Sequence, residues 1–127
     1  MTMGDDKDIT VRRVYDAVKE GAPRGRVYLV DAMWPRGVRK ADLRVDDWLK
    51  GVAPSRELRT WFGHDPERWP EFRRRYRAEL DEHAPDLRPL EQAAAEGPVT
   101  LLYAAHDERR NNAVVLADYL RERVSER

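Results

Sequence analysis

Two short stretches of this chain gather side chains able to do chemistry. The first is Asp31, Trp34 and Arg36, and the second is His106, Asp107, Arg110 and Asn111. A carboxylate such as Asp31 can act as a base or orient a neighbouring cation, and His106 can change charge near neutral pH. Arg36 and Arg110 can grip a carboxylate or phosphate through paired hydrogen bonds, and Trp34 offers a flat face to a ring or a cation. A further group is Ser55, Arg59, Trp61 and His64, with Lys50 nearby. Arg59 falls about one helical turn after Ser55, and His64 sits in a Gly-His-Asp turn. Asp31, His64 and His106 are therefore the acid–base candidates. Trp34, Arg36, Ser55, Arg59, Trp61, Asp107, Arg110 and Asn111 are the candidates for holding a ligand.

Each residue also has a plainer reading. An aspartate at a strand end often bonds turn amides, and a tryptophan is more often a core or wall residue than a stacking platform. Arg110 on a first helical turn meets an unfavourable dipole unless an anion is bound. Serine occurs only at positions 55 and 125, neither in a nucleophile-elbow context, and no Gly-rich phosphate loop or dinucleotide fingerprint is present. The three histidines, His64, His83 and His106, are too far apart in sequence to read as a zinc site, so no metal is expected. Cysteine is absent, which removes disulfides, thiolate sites and cysteine nucleophiles. No cofactor is legible, and a flavin or haem would leave no obligatory motif.

The elements that must position these residues follow from periodicity. Residues 9–15 read as a short strand, and 16–25 as a loop with room for one helical turn. Residues 26–31 and 99–104 are near-continuous apolar runs, the pattern of strands buried on both faces. Between them the chain reads as helical. Asp46 and Asp47 would cap a short helix carrying Trp48, and Ser55 a second carrying Leu58, Trp61 and Phe62, stopped by Gly63. Asp65-Pro66 opens a third, in which Trp69, Phe72, Tyr76 and Leu80 recur every three or four residues; Pro70 demands a kink or a late start. Leu87, Leu90 and Ala94 mark a fourth, ended by Gly97-Pro98. A last helix carries Val114, Ala117, Leu120 and Val124, capped by Asp107 or Asn111, and its tail, 121–127, is expected to fray.

Alternating strands and helices imply an α/β fold. The expected sheet is small and mainly parallel, with about three or more strands flanked by helices and a helical insert between the second and third. The 127 residues suit one domain, with 1–8 and 122–127 expected to be flexible. In such sheets ligands sit beyond the carboxyl ends of the strands, where the two clusters would meet if their strands are parallel neighbours.

Charged residues make up 38% of the chain, but 24 basic side chains balance 24 acidic ones, so no net field draws it to nucleic acid or anionic lipid. The basic run Arg73, Arg74, Arg75 and Arg77 adjoins Glu79, Asp81 and Glu82, and reads first as a solvated helix face. No apolar stretch approaches a membrane span, and residues 1–8 are polar and acidic, unlike a signal peptide, so a cytoplasmic location is expected. The first functional reading is thus a small-molecule site for a compact anionic or nucleotide-like ligand, with or without acid–base catalysis. The alternative is a non-catalytic regulatory or nucleic-acid-binding module using Arg73–Arg77. Nothing in the sequence sets an oligomeric state.

Val-Asp-Ala-Met-Trp-Pro-Arg-Gly at 30–37, Ala53-Pro54-Ser55 with 57–62, and Leu-Leu-Tyr-Ala-Ala at 101–105 resemble the YeaO-like family, a domain of unknown function. The likeness runs from about residue 9 to 120 and carries no activity with it. It matches the family pattern at Asp31, Trp34, Pro35, Arg36, Gly37, Ser55, Arg59, Trp61, Phe62, His64, Asp65, Asp107 and Asn111. It departs where members carry an Arg (here Ala32), a Lys or Arg (His106) and a His (Arg110). These departures fall in the proposed pocket. They imply either a diverged ligand or reaction, or charge redistributed over a site that keeps its purpose.

Overall fold

A computed structural model describes residues 8–21, 23 and 25–125. Four parallel strands form one sheet in the order β1 (Ile9–Arg13), β4 (Val99–Tyr103), β2 (Arg26–Leu29), β3 (Asp47–Trp48). The two apolar runs are the two central strands, as their composition requires: β4 is buried throughout and β2 along Val27, Tyr28 and Leu29.

Side-chain alternation splits the core between two faces. Tyr28, Val30, Val99, Leu101 and Tyr103 meet the larger helical layer. That layer comprises α2 (Arg56–Phe62), α3 (Trp69–Glu82), α4 (Arg88–Glu96) and α5 (Asn112–Ser125). Here α4 and α5 rest on the sheet, while α3 packs against α2 and α5. Val27, Leu29 and Leu102 face the other way, toward Val14 and Ala17 of α1 (Val14–Glu20) and Leu43, with Trp34 and Trp48 at the margin.

Several local expectations change. The first strand ends at Arg13, and Val14 and Tyr15 open α1, a seven-residue helix where a loop with room for one helical turn was expected. Burying Val14 and Ala17 under the sheet supplies the packing that stabilises so short a helix. Asp47 and Trp48 are a strand and not a helix, because the outer edge of β2 needs partners. Asp46 N donates to the Val27 carbonyl (2.7 Å), Leu49 N donates to the Leu29 carbonyl (2.9 Å), and Val27 N donates to Asp46 Oδ2 (2.7 Å).

The helix signals fare better. Ser55 caps α2, Gly63 ends it in the left-handed region, and Asp65 caps a 3₁₀ turn over Pro66–Arg68. α3 then begins at Trp69, with Pro70 in its first turn, which is the late start. On α5 the fully buried positions are Ala113, Val115, Leu116, Ala117 and Leu120, whereas Val114 is only half-buried. The helix is wedged between the sheet and α3, so two of its faces are covered. The helix runs to Ser125, with Arg121 donating to the Ile9 carbonyl (2.6 Å) and Arg123 paired with buried Glu91. Residues 1–7 and 126–127, within the stretches expected to be flexible, lie outside the described residues. Among the described residues no helix is long and apolar enough to cross a membrane.

Candidate functional site

Leu29 of β2 and Leu102 of β4 are register partners, so both strands release the chain at one rim. The side chain that joins these exits is Asp31. Its Oδ2 accepts from Ala104 N (2.9 Å) and its Oδ1 from Asn112 Nδ2 (3.0 Å). Asn112 also donates to the Val30 carbonyl (3.1 Å), and the Asp31 carbonyl accepts from Trp48 Nε1 (2.7 Å). One aspartate thus ties the ends of β2, β3 and β4 to the start of α5. Burial raises its pKa above the usual carboxylate range, opposed by the bonds from Asn112 and Ala104 and by the charges of Arg59 and His64.

Above Asp31 opens a cleft of about 650 Å³, within the size range of small-molecule sites. Trp34, Arg36, Arg59, His64, His106, Arg110 and Asn111 all border it. Its apolar wall comes from Pro35, Pro54, Phe62 and Phe72. The two sequence clusters therefore meet, and part of the insert joins them.

Each cationic group is held differently. Arg36 is exposed, and its carbonyl is pinned by the Tyr15 hydroxyl (2.9 Å). Arg59 reaches over from α2, with its Nε on the Pro54 carbonyl (3.3 Å). Neither guanidinium has an ion-pair partner among the described residues. Arg110 is paired with Asp107 (3.1 Å). Asp107 also accepts from the amides of Arg109 (2.9 Å) and Arg110 (3.0 Å), and these bonds, followed by the Arg110 charge, lower its pKa.

His64 follows Gly63, and both adopt positive φ (58° and 53°), which turns the imidazole back over Phe62 at 5.9 Å. A left-handed non-glycine residue beside a cleft is the kind of local strain that accompanies functional sites. The His106 Nδ1 lies 3.3 Å from an Arg13 guanidinium nitrogen. Arg13 donates, so the ring's own donor is Nε2–H. Arg13 is in turn anchored on the Ala105 carbonyl (2.9 Å).

Three candidates lie elsewhere. Ser55 does not border the cleft: its Oγ accepts from Leu58 N (3.1 Å) and donates to Glu79 (2.6 Å), so it joins α2 to α3. Trp61 lies on the outer side of α2, with the guanidinium of Arg75 over its ring at 4.3 Å and that of Arg68 at 5.4 Å. Asp107 stands behind the rim as the partner of Arg110. Lys50 stacks on Trp48 at 4.2 Å, also outside the cleft.

Two lining residues have their polar groups engaged. Asn111 caps α5, accepting from Val114 N (3.0 Å) and donating to the Asp107 carbonyl (2.9 Å). Trp34 donates to the Val38 carbonyl (2.7 Å) and meets Trp48 edge-on, so it serves as wall. Asn112, Arg13 and Tyr15 were not singled out in the sequence. Asn112 could have been found from the Asn-Asn pair at the helix start, where one amide caps and the other is left to reach the strand end. Arg13 and Tyr15 give no such signal, since both read as strand residues.

The basic run on α3 is largely neutralised: Arg74 and Arg75 share Glu71, and Arg77 pairs with Glu122. Among the described residues no group of three or more His, Cys, Asp or Glu is placed to hold a metal.

Comparison with known proteins gives a family. Residues 8–127 match the family model described as the inactive DUF488-N3 subclade. The chain is 42% identical to the uncharacterized protein YeaO of Escherichia coli K12, over 90% of this chain and 97% of that one. It is 43% identical to the uncharacterized protein Rv3073c of Mycobacterium tuberculosis H37Rv, over 91% and 95% of the two chains. The uncharacterized protein Mb3100c of Mycobacterium bovis shows the same identity and coverage. No solved structure matches. With this coverage, the chain belongs to the YeaO-like DUF488 family.

Proposed function

We propose that this chain is a cytoplasmic binding protein for a compact anionic or nucleotide-like ligand, held in the cleft at the carboxyl ends of β2 and β4. The observation that carries the reading is that Arg36 and Arg59 border the cleft with no ion-pair partner among the described residues, while many surface arginines have one. A guanidinium facing a partly apolar cleft is best satisfied by an oxyanion, and paired hydrogen bonds favour carboxylate or phosphate. Arg110 and the Nε2–H of His106 add donors at the rim.

Binding without turnover is the first form of this reading, supported by the description of the matched subclade as inactive. Acid–base catalysis by Asp31, His64 and His106 is the second, favoured by the burial of Asp31 and the raised pKa that results. The nucleic-acid alternative through Arg73–Arg77 loses support from the ion pairs of Arg74, Arg75 and Arg77, which leave little unneutralised charge.

Calorimetric titration with orthophosphate and a nucleotide panel tests the proposal. Arg36→Ala and Arg59→Ala should each weaken binding by roughly 10- to 100-fold, the loss of one charge-assisted contact of about 1.5–3 kcal/mol. Anion affinity unchanged in both variants would overturn it.

A further inference from the structure

The cleft is bordered by two kinds of polar group, the Asp31 carboxylate and two guanidinium groups, and the carboxylate is the more specific. Among the described residues Asp31 accepts one hydrogen bond on each oxygen, from Ala104 N at 2.9 Å and Asn112 Nδ2 at 3.0 Å. An ionised carboxylate offers about four lone-pair sites, two per oxygen. One acceptor site per oxygen therefore remains on a side chain that lines the cleft. The carboxylate cannot rotate freely, because Asn112 is itself fixed on the Val30 carbonyl (3.1 Å). Two adjacent, oriented acceptors select two adjacent donors. A cis vicinal diol presents such a pair, one hydroxyl to each oxygen.

Arg36 and Arg59 also border the cleft, neither in an ion pair among the described residues, although the charge of Arg59 acts on Asp31. Two such forks suit a dianion with three terminal oxygens better than a monocarboxylate, which one Arg can satisfy alone. Pro54, Phe62 and Phe72 add apolar lining, and about 650 Å³ leaves room for a ring beside these groups.

The geometry points to a ribosyl phosphate as the ligand, its vicinal diol on Asp31 and its phosphate monoester on Arg36 and Arg59. The sugar phosphate can be free or carry a base against the apolar wall. This assignment rests on the anion-binding reading above and adds the diol requirement.

Isothermal titration of the full chain with ribose 5-phosphate, AMP and 2′,3′-dideoxy-AMP separates the two claims. AMP should bind at least tenfold more tightly than its dideoxy analogue. Asp31→Asn should bring the two within about twofold, while Arg36→Ala and Arg59→Ala weaken both. Should the Asp31 variant fail to fold, the comparison of AMP with dideoxy-AMP on the native protein still decides. Tighter binding of AMP than of ribose 5-phosphate supports a nucleotide, and equal binding supports the bare sugar phosphate. Equal affinity for AMP and dideoxy-AMP, with both sensitive to the arginine substitutions, overturns the diol assignment alone. Absence of arginine-dependent binding by all three overturns the anion site as well.

Discussion

Asp31 and Ser55 were both candidates by residue type, and their surroundings give them different work. Ser55 joins two helices through Leu58 N and Glu79 and does not border the cleft. Ser55→Ala should cost about 1–2 kcal/mol in urea unfolding, as loss of a helix cap does, with ligand affinity unchanged. A fall in affinity at full occupancy of the folded state would return Ser55 to the site.

Asp31 differs because burial raises its folded-state pKa above the ordinary aspartate value of 3.8. A raised acid binds its proton more tightly in the folded state. Its contribution to stability is therefore complete below 3.8 and lost as pH rises through the folded value. The stability of Asp31→Asn relative to the native protein should then improve between pH 3.5 and about 7, read by urea unfolding at both ends. Parallel curves would show that Asp31 is not perturbed.

On the scale of elements, α3 separates a motif's appearance from its role. Its arginine run suggests an anion-binding stripe, but Glu71 accepts from Arg74 (2.6 Å) and Arg75 (2.7 Å), and its pKa falls to about 2. The lowered value means that the pairing stabilises the fold above 4.5 and is lost as pH falls through about 2. Carboxyl NMR shifts should place the Glu71 midpoint near 2, moving upward in high salt because the site is exposed and screened. A midpoint at the ordinary glutamate value would mean that the arginines are available to other partners. Periodicity identified α3 because Phe72, Tyr76 and Leu80 all face the core, but the start read at Asp65-Pro66 is a separate 3₁₀ turn and the helix begins three residues later, at Trp69. It missed β3 because two residues contain no period, and their strand character comes from β2 alone.

For the molecule as a whole, the parallel pairing of β2 with β4 sets both the core and the cleft. At the opposite end from the cleft, Gly25 (φ +72°) lies so close to β4 that an added Cβ would stand 2.3 Å from the Pro98 carbonyl oxygen. Gly25→Ala should destabilise by at least about 2 kcal/mol, from backbone strain and loss of the Arg26 N to Pro98 O bond (3.0 Å). Leu101→Ala in the central strand should cost about 2–5 kcal/mol, whereas Val18→Ala at an exposed position of α1 should cost almost nothing. Comparable losses at positions 18 and 101 in denaturant melts would contradict the assignment of β4 to the centre.

The sequence by itself determined the α/β class, the two central strands and several helix ends, among them the Ser55 cap and Gly63 stop of α2 and the Gly97 end of α4. These depend on local pattern: unbroken apolar runs, caps, and glycine or proline stops. It also placed Asp31 and the 106–111 cluster at strand ends. Only the tertiary structure decided that Arg59 and His64 close the same cleft, that Ser55 and Trp61 do not, and that Asn112 holds Asp31. Those outcomes depend on how α2 and α5 seat against the sheet. Seating is a property of packed surfaces distant in sequence, and no window along the chain contains it.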